Sequence, residues 1–332
     1  MRVLVVGAGA VGQVYARHLQ LGGAEVTFFV RDKYRATLER GLDMYWLNAP
    51  RPTEPIRFDT FTVVTRPDEV AARRFDQVFL TVSSPALAGP WLRELVAATG
   101  DATIVALEPG ADDRAVLLAA GIPVDRLVQG MITLISYSAP LPGETRFPRP
   151  GMAYWFPPMA PAPHSGPRER TAAVVRALRA GKQPAKVHPD VPSTVAFPSA
   201  VLMPYLVALE SAGWSFRELG RGPAIALGAR AVREALAVTA ATTGRRTPLG
   251  ARMLARPGML RLALWFGSRV VPLPLEVYLR EHFIKVHAQT IEFMDGYIAK
   301  GKKAGVGVAA LEELLASVAP VRAPAHAERP VA

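Results

Sequence analysis

Short runs of consecutive apolar residues alternate, over the first half of the chain, with stretches whose apolar positions recur every three to four residues. Val3-Leu4-Val5-Val6 is the first run, 25–30 the second, and 61–64, 77–82, 103–107, 127–135 and 152–156 follow. Runs of this length with no polar alternation are the mark of strands buried on both faces. Helical spacing occupies 11–21, 86–98, 112–119 and 171–180 between them. Strand and helix in alternation predict an α/β fold built on a doubly wound parallel sheet. Past a Pro-, Lys- and His-containing link at 181–192 the pattern becomes almost wholly helical, which predicts a smaller all-helical carboxy-terminal domain. The expected domains are 1–186 and 187–320, with a disordered tail at 321–332 in the Pro/Ala-rich stretch that starts at Ala319.

The turn between the first strand and the first helix reads Gly7-Ala8-Gly9-Ala10-Val11-Gly12. A Gly-x-Gly-x-x-Gly turn in this context is the Rossmann fingerprint for a dinucleotide pyrophosphate. Gly7 permits the tight turn, Gly9 presents no Cβ to approaching phosphates, and Gly12 lets the helix sit close to the sheet. The helix amino terminus then offers N–H groups and a positive dipole end to the pyrophosphate. The glycine pattern alone is often only a tight turn, but strand, turn, helix and second strand in succession select the dinucleotide reading. The second strand ends at Arg31, with Lys33 and Arg35 close behind and Asp32 as the sole nearby acid. An acid there would bind the ribose hydroxyl of NAD, whereas an arginine accommodates the 2′-phosphate of NADP. A solvated basic helix start is the plainer alternative. The planar guanidinium matches phosphate geometry, so NADP is the expected cofactor, held by the turn with Arg31 and Lys33.

Composition narrows the classes. The 332 residues include no cysteine, which rules out disulfides, thiolate catalysis and Cys-ligated metals. Net charge is +11 and the pI about 10.2. The basic residues are mostly scattered arginines without an aromatic-interleaved cluster, so no nucleic-acid partner is expected; a positive field also suits an anionic cofactor and substrate. The apolar stretch 259–279 is interrupted by Arg261, Arg269, Pro272, Pro274 and Glu276, which are costly in hydrocarbon, so no membrane is expected either. His164 and His188 lie too far from other ligand types to make a metal site. Met1-Arg2 leads straight into a strand, so a cytoplasmic location is expected.

The chain resembles the ketopantoate reductase (2-dehydropantoate 2-reductase) family. The resemblance rests on the glycine turn, the strand ending in Arg31, Leu38-Glu39-Arg40-Gly41-Leu42, the 133–143 segment ending Pro142-Gly143, Thr290-Ile291-Glu292-Phe293-Met294-Asp295-Gly296 and Ala304-Gly305-Val306. It implies a Rossmann domain, a smaller helical domain, an active site in the cleft between them, and often a homodimer acting on a small-molecule substrate. The departures fall on the family's functional positions. Val195 stands where the resemblance places a general-acid Lys, and Ser199 and Met203 stand at two Asn positions. Glu108-Pro109-Gly110 replaces an Asn-Gly beside the nicotinamide, Ser84 replaces a Lys near the cofactor phosphate, and Thr290 replaces a substrate-binding Glu. Glu108, Ser83 and Ser84 complete the expected cofactor contacts. Hydride transfer to a carbonyl still needs a proton donor. Tyr278 and His282, opposite a substrate-contacting Ser and an Asp of the family, are the nominal catalytic candidates. Two readings stand: an NADPH-dependent reductase of a carbonyl or imine other than ketopantoate, and a catalytically inactive NADP-binding module.

Overall fold

The computed structural model describes residues 1–87, 89–107 and 113–318, and these form two compact units that divide between Pro192 and Ser193. In the first, β1 (Arg2–Val6), α1 (Ala10–Leu21) and β2 (Glu25–Phe29) are followed by α2 (Arg35–Glu39), β3 (Leu42–Trp46), β4 (Ile56–Phe58) and β5 (Thr62–Val64). Next come α3 (Pro67–Ala71), β6 (Gln77–Leu80), α4 (Ser84–Leu87), α5 (Trp91–Ala98), β7 (Thr103–Ala106), α6 (Asp113–Ala119) and β8 (Leu127–Gly130). The unit closes with β9 (Ile135–Ala139), β10 (Gly151–Trp155), β11 (Ala162–Ser165), α7 (Arg168–Ala180) and β12 (Ala185–Val187).

The main sheet runs β12-β11-β8-β7-β6-β1-β2-β5. Its six strands from β5 to β8 are all parallel and, counted along the chain, lie in the dinucleotide-binding order 3-2-1-4-5-6. Strand order reverses at β1, which pairs with β2 on one side and β6 on the other, and the crevice beyond the carboxyl ends of β1 and β6 is the place such sheets keep for a ligand. Val3 to Val6, Val78 to Leu80 and Ile104 to Ala106 are buried on both faces, so their uniform apolar runs are what the two-sided cover of helices demands.

Four features depart from the sequence reading. The run 127–135 is two strands: β8 ends at Gly130 and β9 joins a second sheet, β4-β3-β10-β9, that also takes the run at 152–156. The 86–98 helix is two, α4 and α5, separated at Gly89-Pro90. The main sheet is not wholly parallel, since β11 runs antiparallel to β8. Finally, β12 pairs with β11 inside the stretch taken as a linker, so the boundary at 186/187 falls within a strand and the compact unit continues to Pro192. Ala185 alone of its three residues is buried, which left no apolar run to find. The tail at 321–332 lies outside the described residues.

The second unit is all helix among the described residues: most of α8 (Val191–Ser211), then α9 (Phe216–Arg221), α10 (Ala224–Thr243), α11 (Leu249–Leu254), α12 (Pro257–Val270), α13 (Leu275–Lys285), α14 (His287–Lys303) and α15 (Ala309–Ala316). α10 is its centre, burying Val232, Ala235 and Leu236 against Val207, Met294 and Leu311. Close approach depends on small residues, as where Gly228 faces Ala208. The Glu234 carboxylate accepts from the N–H groups of Ala310 (3.0 Å) and Leu311 (2.9 Å), so α10 caps the first turn of α15. α8 is long and apolar enough to cross a membrane, but Val207, Ala208 and Leu209 belong to the core, which accounts for its hydropathy.

Candidate functional site

The glycine turn is fixed by the strands on either side. Gly7 N–H donates to Phe29 O (3.0 Å), and the Thr81 hydroxyl, just past β6, donates to Val6 O (2.8 Å) and lies 3.1 Å from Gly7 O. Gly7 has φ +94°, a conformation that favours glycine. A Cβ on Gly12 would run into the Gly7 carbonyl and lie 2.6 Å from Thr81 Oγ1, so the third glycine is required by the turn's own packing. Gly9 differs: a Cβ there meets nothing within 4 Å, and its φ of −69° suits any residue. Structure therefore makes no demand for glycine at position 9, and the open space before it fits a pyrophosphate. Ala10, Val11 and Gly12 form the first turn of α1, which has no side-chain cap and no acid. Ala8 O accepts from Gln13 Nε2 (2.8 Å), which holds the loop to the helix.

Arg31 follows β2 on this same edge. Its Nη2 donates to the Tyr34 hydroxyl (3.0 Å), its Cζ lies 5.3 Å from the Tyr34 ring centre, and Lys33 Nζ lies 5.2 Å from that ring. Arg35 is turned away: it contacts both Glu69 oxygens at 3.1 Å, Thr65 Oγ1 at 3.0 Å and Asp32 at 3.7 Å. The Thr65 N–H above all, helped by Arg35, holds the Glu69 carboxyl down to about 2. Asp32 thus faces a cation of its own, and Arg31 makes no ion pair among the described residues. Ser83 and Ser84 follow β6, Ser83 exposed and Ser84 opening α4. Glu108 lies outside the described residues. Thr81, Gln13 and Tyr34 were missed by sequence reasoning. Only Thr81, a hydroxyl at the end of an apolar strand, carried a visible signal.

In the helical unit, Val195, Ser199 and Met203 recur every four residues along α8 and are all half-buried, one stripe of one face. Thr290 is buried in α14. Tyr278 and His282 come together one turn apart on α13, their rings stacked at 5.6 Å and 24°. Burial pushes the Tyr278 hydroxyl up to about 12, so it keeps its proton at neutral pH; desolvation, then the Lys285 charge, lowers the His282 imidazole. Beside α8 lies a cavity of about 470 Å³ lined by Phe197, Val201, Tyr205, Leu219, Leu254 and Leu264, among others. The Tyr205 hydroxyl donates to Leu254 O (2.6 Å), which leaves the wall hydrocarbon. No group of three metal-ligating side chains occurs among the described residues.

Sheet order and glycine turn define a dinucleotide-binding unit of the Rossmann class. Residues 3–159 match the model of the family described as ketopantoate reductase PanE/ApbA. No curated protein sequence matches it. Among solved structures, D-mandelate dehydrogenase with NADH and anilino(oxo)acetate is 14% identical with a TM-score of 0.70, covering 96% of each chain. A PanE/ApbA family ketopantoate reductase from Ralstonia eutropha JMP134 is 17% identical with a TM-score of 0.70, over 95% of this chain and 96% of that one. The 2-dehydropantoate 2-reductase from Geobacter metallireducens GS-15 is 17% identical with a TM-score of 0.66, over 96% and 98%. At such identities the likeness is one of fold.

Proposed function

We propose that the protein is an NADPH-dependent reductase of the ketopantoate reductase family that acts on a carbonyl or imine substrate more apolar than ketopantoate. The observation that carries the cofactor choice is Arg31, a guanidinium at the end of β2 with no carboxylate partner among the described residues, set over Tyr34 beside Lys33. When bound, the nicotinamide supplies the hydride. The turn from Gly7 to Gly12 holds the pyrophosphate, Ser83 and Ser84 flank it, and Arg31 with Lys33 takes the 2′-phosphate. Support for an apolar substrate comes from Val195 and Met203, which stand half-buried on one face of α8 where the resemblance places Lys and Asn. In this reading the Tyr278 and His282 pair supplies the proton, and the protein works in the cytoplasm as a homodimer.

Calorimetric titration tests the cofactor choice. A hydrogen bond to a charged group contributes about 1.5–3 kcal/mol, so NADPH should bind roughly ten- to a hundred-fold more tightly than NADH. Arg31→Ala should erase most of that preference and leave NADH binding nearly unchanged; equal affinity in the unaltered protein overturns the role given to Arg31. With NADPH, turnover of ketopantoate should be poor or undetectable. On a substrate that is turned over, Tyr278→Phe and His282→Ala should lower kcat by roughly 10²–10⁴-fold without loss of NADPH binding. Full activity in both variants removes them as proton donors. The second reading, a nucleotide-binding module without turnover, draws on the lack of any Lys or Arg between Lys186 and Arg217.

A further inference from the structure

Helix α12 is apolar on two opposite faces. Leu260 is buried and Leu264 packs with it against the core of the helical unit, as a surface helix should. The outward face carries Leu262, Trp265, Phe266 and Val270, which are 55%, 55%, 59% and 44% exposed. On α11, packed beside it, Leu249 and Met253 are exposed as well. Contiguous bare apolar surface of this kind marks a place of attachment.

The charges on these two helices are of one sign. Between Glu234 and Glu276 the chain has no acidic residue, and its basic residues there are Arg245, Arg246, Arg252, Arg256, Arg261 and Arg269. None of the six makes an ion pair among the described residues. Elsewhere in the same unit Arg230 pairs with Glu313 and Lys302 with Glu312, both at 2.7 Å. Arg269 lies over the Trp265 ring, its Cζ 4.1 Å from the ring centre, and Arg261 donates to Gly220 O.

We propose that the α11–α12 face docks on the surface of an anionic lipid bilayer, lying on it without crossing it. The arginines would meet lipid phosphates, Trp265 the headgroup boundary, and Leu262 and Phe266 the upper acyl region. A second copy fits badly, because a two-fold contact through this face sets Arg252, Arg256, Arg261 and Arg269 against their own copies, with no acid on either helix to separate them. Nucleic acid would satisfy the arginines and leave the aliphatic surface in water. No membrane is expected from the sequence because Arg261, Arg269, Pro272, Pro274 and Glu276 interrupt the stretch as a span, and α12 turns by 104° into α13. Lying on a surface carries neither restriction.

Flotation of the full-length protein with vesicles of phosphatidylcholine, and of phosphatidylcholine with a third phosphatidylglycerol, tests this. Protein should float with the anionic vesicles, remain behind with the neutral ones, and be released by high salt. Trp265→Asp with Phe266→Asp should abolish flotation while NADPH affinity and helical circular dichroism stay unchanged. Each of Arg252→Ala and Arg256→Ala should weaken partitioning roughly five-fold. The proposal is overturned by failure to float with either vesicle, by equal binding to both, by retention on DNA in preference to anionic vesicles, or by a dimer in light scattering that the Asp pair dissolves.

Discussion

Two histidines outside the cofactor turn have a measurable consequence for stability. His18 on α1 is fully buried; its Nδ1 lies 2.6 Å from Gly181 O and its Nε2 3.1 Å from the Tyr154 hydroxyl, an arrangement that suits an Nδ1–H donor and an Nε2 acceptor. The rings of Trp46, Tyr154 and Phe156 meet it edge-on. His164 on β11 is equally buried, against Gly130 and Leu107. Burial above all pulls both imidazoles down to about 4 from the ordinary 6.5. The unfolded chain therefore takes up protons that the folded protein refuses, so stability from the neutral rings is whole above pH 6.5 and is lost as pH falls to about 4. Each ring accounts for up to about 3 kcal/mol of that loss. Urea unfolding at several pH values should show His164→Leu losing less stability across this window than the unaltered protein, even if it starts lower; an identical slope would remove His164 from the account. In the sequence, the turn at Gly7 and Gly12 was legible because its geometry is local. His18 was not, since its partners lie 136 and 163 residues away.

At the scale of elements, α1 and α7 meet end to end through glycine. A Cβ on Gly181 would run into the His18 carbonyl, and one on Gly22 would lie 2.9 Å from Gly181 N. Both neighbours are backbone and cannot step aside. Gly181→Ala should thus cost about 1–3 kcal/mol of unfolding free energy and leave nucleotide affinity in the surviving folded protein intact. Gly9→Val should do the reverse: a normal urea midpoint with NADPH and NADH both bound poorly, because its side chain enters open space where the pyrophosphate belongs. If Gly9→Val lost stability instead, position 9 would be structural. The buried strands β1, β6 and β7 could be read because helices cover both their faces and select unbroken apolar runs. β3 could not, since Asp43 within it is engaged by Arg149 at 2.8 Å and Arg57 at 3.7 Å, charges that mask a strand in the sequence. The antiparallel β11 carries Pro163 and His164 and shows no β pattern either.

For the molecule as a whole, the excess of 39 basic over 28 acidic side chains sets a field that reaches a nucleotide before any contact does. NADPH carries one phosphate more than NADH, so its association rate should fall more steeply as salt is raised, a difference that stopped-flow fluorescence can follow. Equal slopes for the two nucleotides would show that the field plays no part in cofactor choice. The change from strand-and-helix alternation to unbroken helix made the α/β and helical parts legible. Sequence periodicity says nothing of which strands become neighbours, and so the second sheet was invisible. That sheet imposes an order of events on the newborn chain. β3 and β4 can pair as soon as both have left the ribosome, but β10, which covers the other edge of β3, is encoded about 90 residues later. At ~5–20 residues per second, Met44 and Tyr45 wait on an open strand edge for roughly 5–20 s. A chaperone that shields unpaired β edges during synthesis would be held longest there.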